Sequence, residues 1–414
     1  MRVVLPYGRG DITCEFNNID WKTLESGFHS KNPSESVIES AVNCCLDAVK
    51  HRRIKNILLV VPDHTRKCSL TQILPRLCRK LTDIAHVNIE ILVANGSHVK
   101  QQASVIQSLV SDEVFDRFPV EQHDCQDTQN LIKVGDTDRE TPIYLNQKVV
   151  RAELVITLGG VLYHYFAGFG GGPKMILPGT AGYETIRRNH QLTIDREKKA
   201  FHQGCREGNL DTNPVFLDLK QIVKFVPDWI SLQWLVSPEG GIVDAMCGPV
   251  LDVHRQICKK VEHFYTIPIE KKADIVVASA GGEPTDINLI QSHKSIHHAY
   301  QGVKRGGILL VAARCRQGIG SKTFMPYFDQ ALSKDIAETL LKDYQINGHT
   351  ALALKEKSEK VKIIFISDLD PGIVQKTGMI PCATPQAAEQ ILYQSTPVTG
   401  YIFPDAHLYV PVMI

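Results

Sequence analysis

Short β-branched and aliphatic runs recur along this chain, "NILLVV" at 56–61 among them, and amphipathic stretches separate one run from the next. That alternation is the signature of an α/β fold with a largely parallel sheet. The reading predicts strands over 2–7 and 11–16. A helix over 34–51 follows, with Val37, Ala41, Cys44, Cys45 and Ala48 at helical spacing. A strand at 56–61, a helix over 70–84 weakened at its start by Pro75, and a strand at 89–94 come next. The strand at 154–158 runs into a glycine-rich loop. The theme restarts at 275–278, 308–312 and 362–366, and the last residues, "GYIFPDAHLYVPVMI", read as strand-like.

At 414 residues the chain exceeds one ordinary core, so two domains are expected. "ELVITLGG" and "ADIVVASAGG" are alike, but only as a shared α/β logic and not as a duplication. We place the division within 255–272. The expectation is a domain over 1–262 carrying the glycine-rich loop and a second over 263–414, with mainly parallel sheets and the active site in the crevice between them.

Lys plus Arg number 46 and Asp plus Glu 45, so a net charge of +1 gives no reason to expect a nucleic-acid or membrane partner. The longest apolar runs are too short to span a bilayer, and the N-terminus lacks the apolar region of a signal peptide. A cytoplasmic protein is expected. Its eleven scattered cysteines, with no CxxC pair, read as reduced thiols. Nothing in the sequence sets the oligomeric state.

Ligands of open α/β sheets sit beyond the carboxyl ends of strands. "PDHTRKCS", "NGSH" and the glycine-rich loop each follow a strand, and would deliver Asp63, His64, Thr65, Arg66, His98 and His164 to one crevice. Each piece alone has an ordinary reading: a structural histidine, or an N-cap followed by a solvated arginine. The loop "HYFAGFGGGPKMILPG" (164–179) suits an anion-binding nest, or else a turn where two backbones cross. It is not a P-loop, because Pro173 precedes Lys174 and Met175 follows it, and G-x-G-x-x-G does not fit either. Gln291 and Lys294 are three apart and would share a helix face, which alone could be a solvated helix start. His293, His297 and His298 have a metal-like spacing, but no accompanying carboxylate motif assigns a metal there.

Taken together, "DHTR" (63–66), "GSH" (96–98), the 164–179 loop, "RRNH" (187–190) and "QSHK" (291–294) resemble the lactate racemase family, in that family's order and over both halves of the chain. The loop is the most specific piece, with Lys174 ten residues after His164 and His190 sixteen further on. One position departs from the family's usual wording: Phe169-Gly170 stands where a serine is common before the paired glycines.

The resemblance implies a 2-hydroxy-acid racemase or epimerase, with lactate as the default substrate and malate, larger 2-hydroxy acids or sugar acids as alternatives. It implies reversible hydride transfer from substrate C2 to a nickel-pincer nucleotide (pyridinium-3-thioamide-5-thiocarboxylic acid mononucleotide with Ni). Lys174 would tether that cofactor covalently and His190 would be the nickel ligand, imidazole suiting Ni(II). Gly170, Gly171 and Gly172 would face its phosphate, with Asp63 and Thr65 holding it too. His98 and His164 would be the paired acid–base residues, since each enantiomer needs its own base for the hydroxyl proton. Arg66 and Lys294 would clamp the carboxylate, and Gln291 would bond substrate or cofactor. Cofactor-biosynthesis enzymes are the implied partners. A zinc hydrolase using His98, His164 and His190, or a nucleotide-binding carrier, are the readings from other classes.

Overall fold

The structure is a computed structural model that describes residues 1–16, 19–24, 35–50, 52–66, 68–84, 87–392 and 398–414. The chain forms two compact units. One consists of Met1–Phe28, Thr193–Glu207 and Phe264–Ile414, the other of His29–Leu192 and Gly208–His263. Two earlier segments, Met1–Phe28 and Thr193–Glu207, are thus grouped with Phe264–Ile414.

In the His29–Leu192 and Gly208–His263 unit, a six-stranded sheet runs in the order Ile242–Pro249, Trp229–Val236, Leu154–Gly160, Asn56–Pro62, Asn88–Ala94, Val120–Gln122. All neighbours are parallel except the first pair. Asn56–Pro62 and Leu154–Gly160 are buried along almost their whole length, as strands covered on both faces must be. Alternate residues Ile57, Leu59, Val61, Ile156, Leu158, Leu232 and Trp234 form one core with Val42, Cys45 and Leu46 of the helix Glu35–Lys50 and with Leu74, Leu77 and Leu81 of the helix Leu74–Ile84. The expected ends of the first helix, Ser34 and His51, lie outside the described residues. Pro75 falls in the first turn of its helix, after a 3-10 turn at Leu70–Gln72, where its missing N–H costs no bond.

From Asn56–Pro62 the chain adds Asn88–Ala94 and then Val120–Gln122 on one side, and later Leu154–Gly160 on the other. The order thus reverses between Asn56–Pro62 and Leu154–Gly160, and such a switch point opens a crevice beyond the carboxyl ends.

The other unit holds a fully parallel sheet in the order Ile380–Cys382, Lys362–Ile366, Val303–Ala312, Ala273–Ser279, Val398–Phe403, Ile19–Thr23. The N-terminal hairpin, Arg2–Tyr7 against Gly10–Glu15, packs Val3, Leu5, Cys14 and Phe16 on Ile275, Val277, Leu310 and Ile364. The segment 193–207 folds into a two-residue ladder, Ile194–Asp195 with Ala200–Phe201. It is tied down by the Lys199–Glu338 ion pair (2.5 Å) and by the Phe201 N–H donating to Glu356 Oε1 (2.6 Å). All eleven cysteines are free, and among the described residues no helix is long and apolar enough to cross a membrane.

Candidate active site

The strand Asn56–Pro62 delivers Asp63 into a tight turn. Its Oδ1 accepts the Thr65 N–H (2.7 Å) and hydroxyl (2.5 Å), and its Oδ2 faces His98 Nδ1 at 3.1 Å. The carboxylate is buried. Burial alone would push its pKa up. The bond from His98, the nearby Arg66 charge and the Thr65 hydroxyl outweigh it and hold the carboxyl well below the usual range. The Nδ1–H of His98 therefore has a charged acceptor, which leaves Nε2 as the nitrogen that can take a proton. Asp63, expected to hold cofactor, is bonded here to His98 and Thr65. His64 and Arg66 have exposed side chains.

His98 stands in the turn after Asn88–Ala94, with its N–H bonded to the Asn95 carbonyl (2.9 Å). The Asn95 amide in turn donates to the His123 carbonyl (3.0 Å). Gly96, at φ +56°, donates to the carbonyl of Gly179 (2.9 Å), so this turn is bonded to the far end of the glycine-rich loop.

That loop opens with a hairpin, Tyr163–His164 against Gly168–Phe169. At its centre Phe166 is buried and touches three of the sequence-selected residues. His164 meets it edge-on at 4.5 Å, His190 lies 4.9 Å away, and Lys174 Nζ sits 5.1 Å above its face. The Ala167 N–H points at His164 Nδ1 from 3.4 Å. His190 is buried on the helix Tyr183–Gln191, with Nδ1 3.3 Å from Asn189 Oδ1. Phe166 carries no sequence signal of its own, since an aromatic beside "YHY" reads as core.

Backbone crossing accounts for much of the glycine content. A Cβ at Gly168 would fall 2.6 Å from the Asn209 carbonyl oxygen, and one at Gly171 3.0 Å from that of Gly160. At Gly172 it would lie 2.4 Å from the His254 ring. The Gly170 N–H donates to the Leu162 carbonyl (2.8 Å). His254 itself is buried with Nδ1 on Gln233 Oε1 (2.8 Å), and burial, helped by the Lys174 charge, pulls its pKa down to about 3.

In the other unit, Gln291 and Lys294 share a face of the helix Leu289–Tyr300, Lys294 Nζ donating to Gln291 Oε1 at 2.8 Å. Asn288 caps this helix by accepting the Gln291 N–H (3.0 Å). On the same helix His297 and His298 lie 3.3 and 3.5 Å from the buried carboxylate of Glu207, a partner the sequence did not single out. Among the described residues no three His, Cys, Asp or Glu side chains form a metal-holding group.

Residues 7–202 match the family model for the lactate racemase N-terminal domain, and residues 269–398 that for the lactate racemase C-terminal domain. A lactate racemase of Lactiplantibacillus plantarum is 25% identical over 425 residues, covering 97% of each chain. One from Thermoanaerobacterium thermosaccharolyticum is 31% identical over 351 residues, covering 82% of this chain and 80% of its own. Among solved structures, the lactate racemase apoprotein from Thermoanaerobacterium thermosaccharolyticum superposes with a TM-score of 0.87 at 23% identity over the whole of both chains. A protein from Thermotoga maritima gives 0.71 at 15% identity, over 94% of this chain and 100% of that one. With both domain models matched in order and a relative above 30% identity over most of its length, the chain belongs to the lactate racemase family and is an isomerase of the racemase type.

Proposed function

We propose that this chain interconverts the enantiomers of a 2-hydroxy acid, lactate by default, using a nickel-pincer nucleotide tethered to Lys174. The observation that carries the reading is the Phe166 ring, against which the Lys174 amine, the His190 imidazole and the His164 imidazole all pack. This donor set fits the cofactor. It offers one amine for a covalent link and one buried imidazole for the metal, and a lone histidine suffices where the cofactor brings the other donors. When bound, the group supplies a hydride acceptor for substrate C2.

The C2–H of a hydroxy acid is not acidic, so it leaves more easily as hydride while a base removes the hydroxyl proton. His98, with Nδ1–H on Asp63, presents Nε2 for that proton in one enantiomer, and Asp63 stabilises the imidazolium that results. His164 serves the other enantiomer. Arg66 offers a bidentate fork to the substrate carboxylate, while Gln291 and Lys294 are the substrate-binding residues of the Leu289–Tyr300 helix. Gly170, Gly171 and Gly172 are the loop positions for the cofactor's phosphate. On this reading the protein is cytoplasmic and depends on the enzymes that assemble the cofactor.

The test is co-expression with those enzymes, followed by nickel analysis, intact mass and polarimetry over enantiopure lactate, malate and sugar acids. Near-stoichiometric nickel, an adduct on Lys174 and racemisation of one acid are expected, with all three lost in Lys174→Ala. Full activity in that variant would sink the proposal.

A further inference from the structure

Behind His190 lies a buried polar network with no part in the chemistry above. Asn189 donates through Nδ2 to the Val215 carbonyl (3.1 Å) and to Asp218 Oδ2 (2.9 Å). Asp218 is fully buried and also accepts the hydroxyls of Thr137 (2.5 Å) and Thr141 (2.8 Å). The Thr137 oxygen takes the N–H groups of Arg139 (3.3 Å) and Thr141 (3.2 Å), which commits its own proton to Asp218.

This network decides where the proton of His190 sits. A peptide carbonyl cannot donate, so the Asn189 atom facing Val215 must be the nitrogen. Its oxygen then faces His190 Nδ1, and an amide oxygen only accepts, so Nδ1 must carry the hydrogen. Ligating histidines are commonly fixed in this way, the nitrogen away from the metal donating to an oxygen.

We propose that Asn189 and Asp218 are positioning residues that hold the His190 ring with its hydrogen on Nδ1. That His190 binds nickel rests on the function proposed above, whereas the tautomer does not. A buried carboxylate needs directed donors, and here three of them fix the amide that fixes the ring.

The decisive measurement is made on cofactor-free protein labelled with ¹⁵N-histidine, using two-bond ¹H–¹⁵N correlation spectra at a pH where His190 is neutral. His190→Gln identifies the signals. Wild type should show His190 as the Nδ1–H tautomer, and folded Asn189→Ala should move it to Nε2–H or to a mixture. Asp218→Asn preserves size and should give a partial shift, which keeps the test alive if Asn189→Ala does not fold. In cofactor-loaded protein both variants should release nickel to a chelator about 10- to 100-fold faster than wild type.

An Nε2–H tautomer in wild type, or an unchanged Nδ1–H tautomer in the folded variants, overturns the proposal. So does unaltered nickel release, because a purely structural network would change melting temperature alone. Loaded wild type that holds no nickel, yet shows the Nδ1–H tautomer when cofactor-free, overturns the nickel reading and leaves the tautomer assignment standing.

Discussion

Gly172→Ala probes the contact that sets the loop two residues before Lys174. Gly172 has φ +53°, where a residue with a Cβ costs about 1–2 kcal/mol. The new methyl would lie 2.4, 2.5 and 3.0 Å from Nδ1, Cγ and Cε1 of His254. That ring cannot swing aside cheaply. Its Nδ1 is bonded to Gln233 (2.8 Å), whose amide is bonded to the Val250 carbonyl (3.2 Å), and Phe216 stacks on it at 6.0 Å. Overpacking of this kind adds about 1–3 kcal/mol, so the total is about 2–5 kcal/mol. For a domain of this size each kcal/mol moves the Tm by about 2–4 °C, which puts the fall between about 4 and 20 °C. Calorimetry on the cofactor-free protein reads this without a ligand's contribution. His254→Ala combined with Gly172→Ala should recover about 1–3 kcal/mol relative to additivity, because the methyl then has room. A single variant that melts within about 2 °C of wild type, or a strictly additive pair, would refute the reasoning.

Asp63→Asn keeps the shape but cannot stabilise an imidazolium at His98. Racemisation should fall about 100-fold while nickel and the Lys174 adduct are retained, and loss of the adduct would instead favour a cofactor-holding Asp63. For His254 the folded pKa, about 3, lies below the ordinary 6.5, so between those values the unfolded chain binds more protons. Stability should therefore drop as pH falls from 6.5 towards 3, by about 4–5 kcal/mol at most. Denaturant titrations across that range should show His254→Gln losing distinctly less than wild type. Phe166→Leu should cost about 1–2 kcal/mol by urea unfolding and should lower kcat more than KM rises. Unchanged kcat would remove Phe166 from the site.

The strands at 2–7 and 362–366 were legible because each is a compact apolar run, and expected and observed spans coincide there, whereas Ile19–Thr23, Trp229–Val236 and Ile242–Pro249 were not read. The segment 193–207 was not, because its ladder is two residues long and its ties, Lys199 to Glu338 and Phe201 to Glu356, depend on partners more than a hundred residues away. The glycines of the loop were read as a ligand cradle or as a turn where two backbones cross, and at Gly168, Gly171 and Gly172 a Cβ would meet the protein's own backbone or His254. Asp63 shows the same limit at the site itself. The sequence sends "DHTR" and "GSH" to one crevice as two separate strand ends, without placing them in contact. The sheet pairs Asn56–Pro62 with Asn88–Ala94 in parallel, with Pro62 opposite Ala94. The residues leaving the two strands therefore emerge side by side, and the Asn95–His98 turn brings an imidazole back onto the carboxylate. Pairwise strand register, which no local pattern encodes, makes an acid–histidine couple out of two motifs.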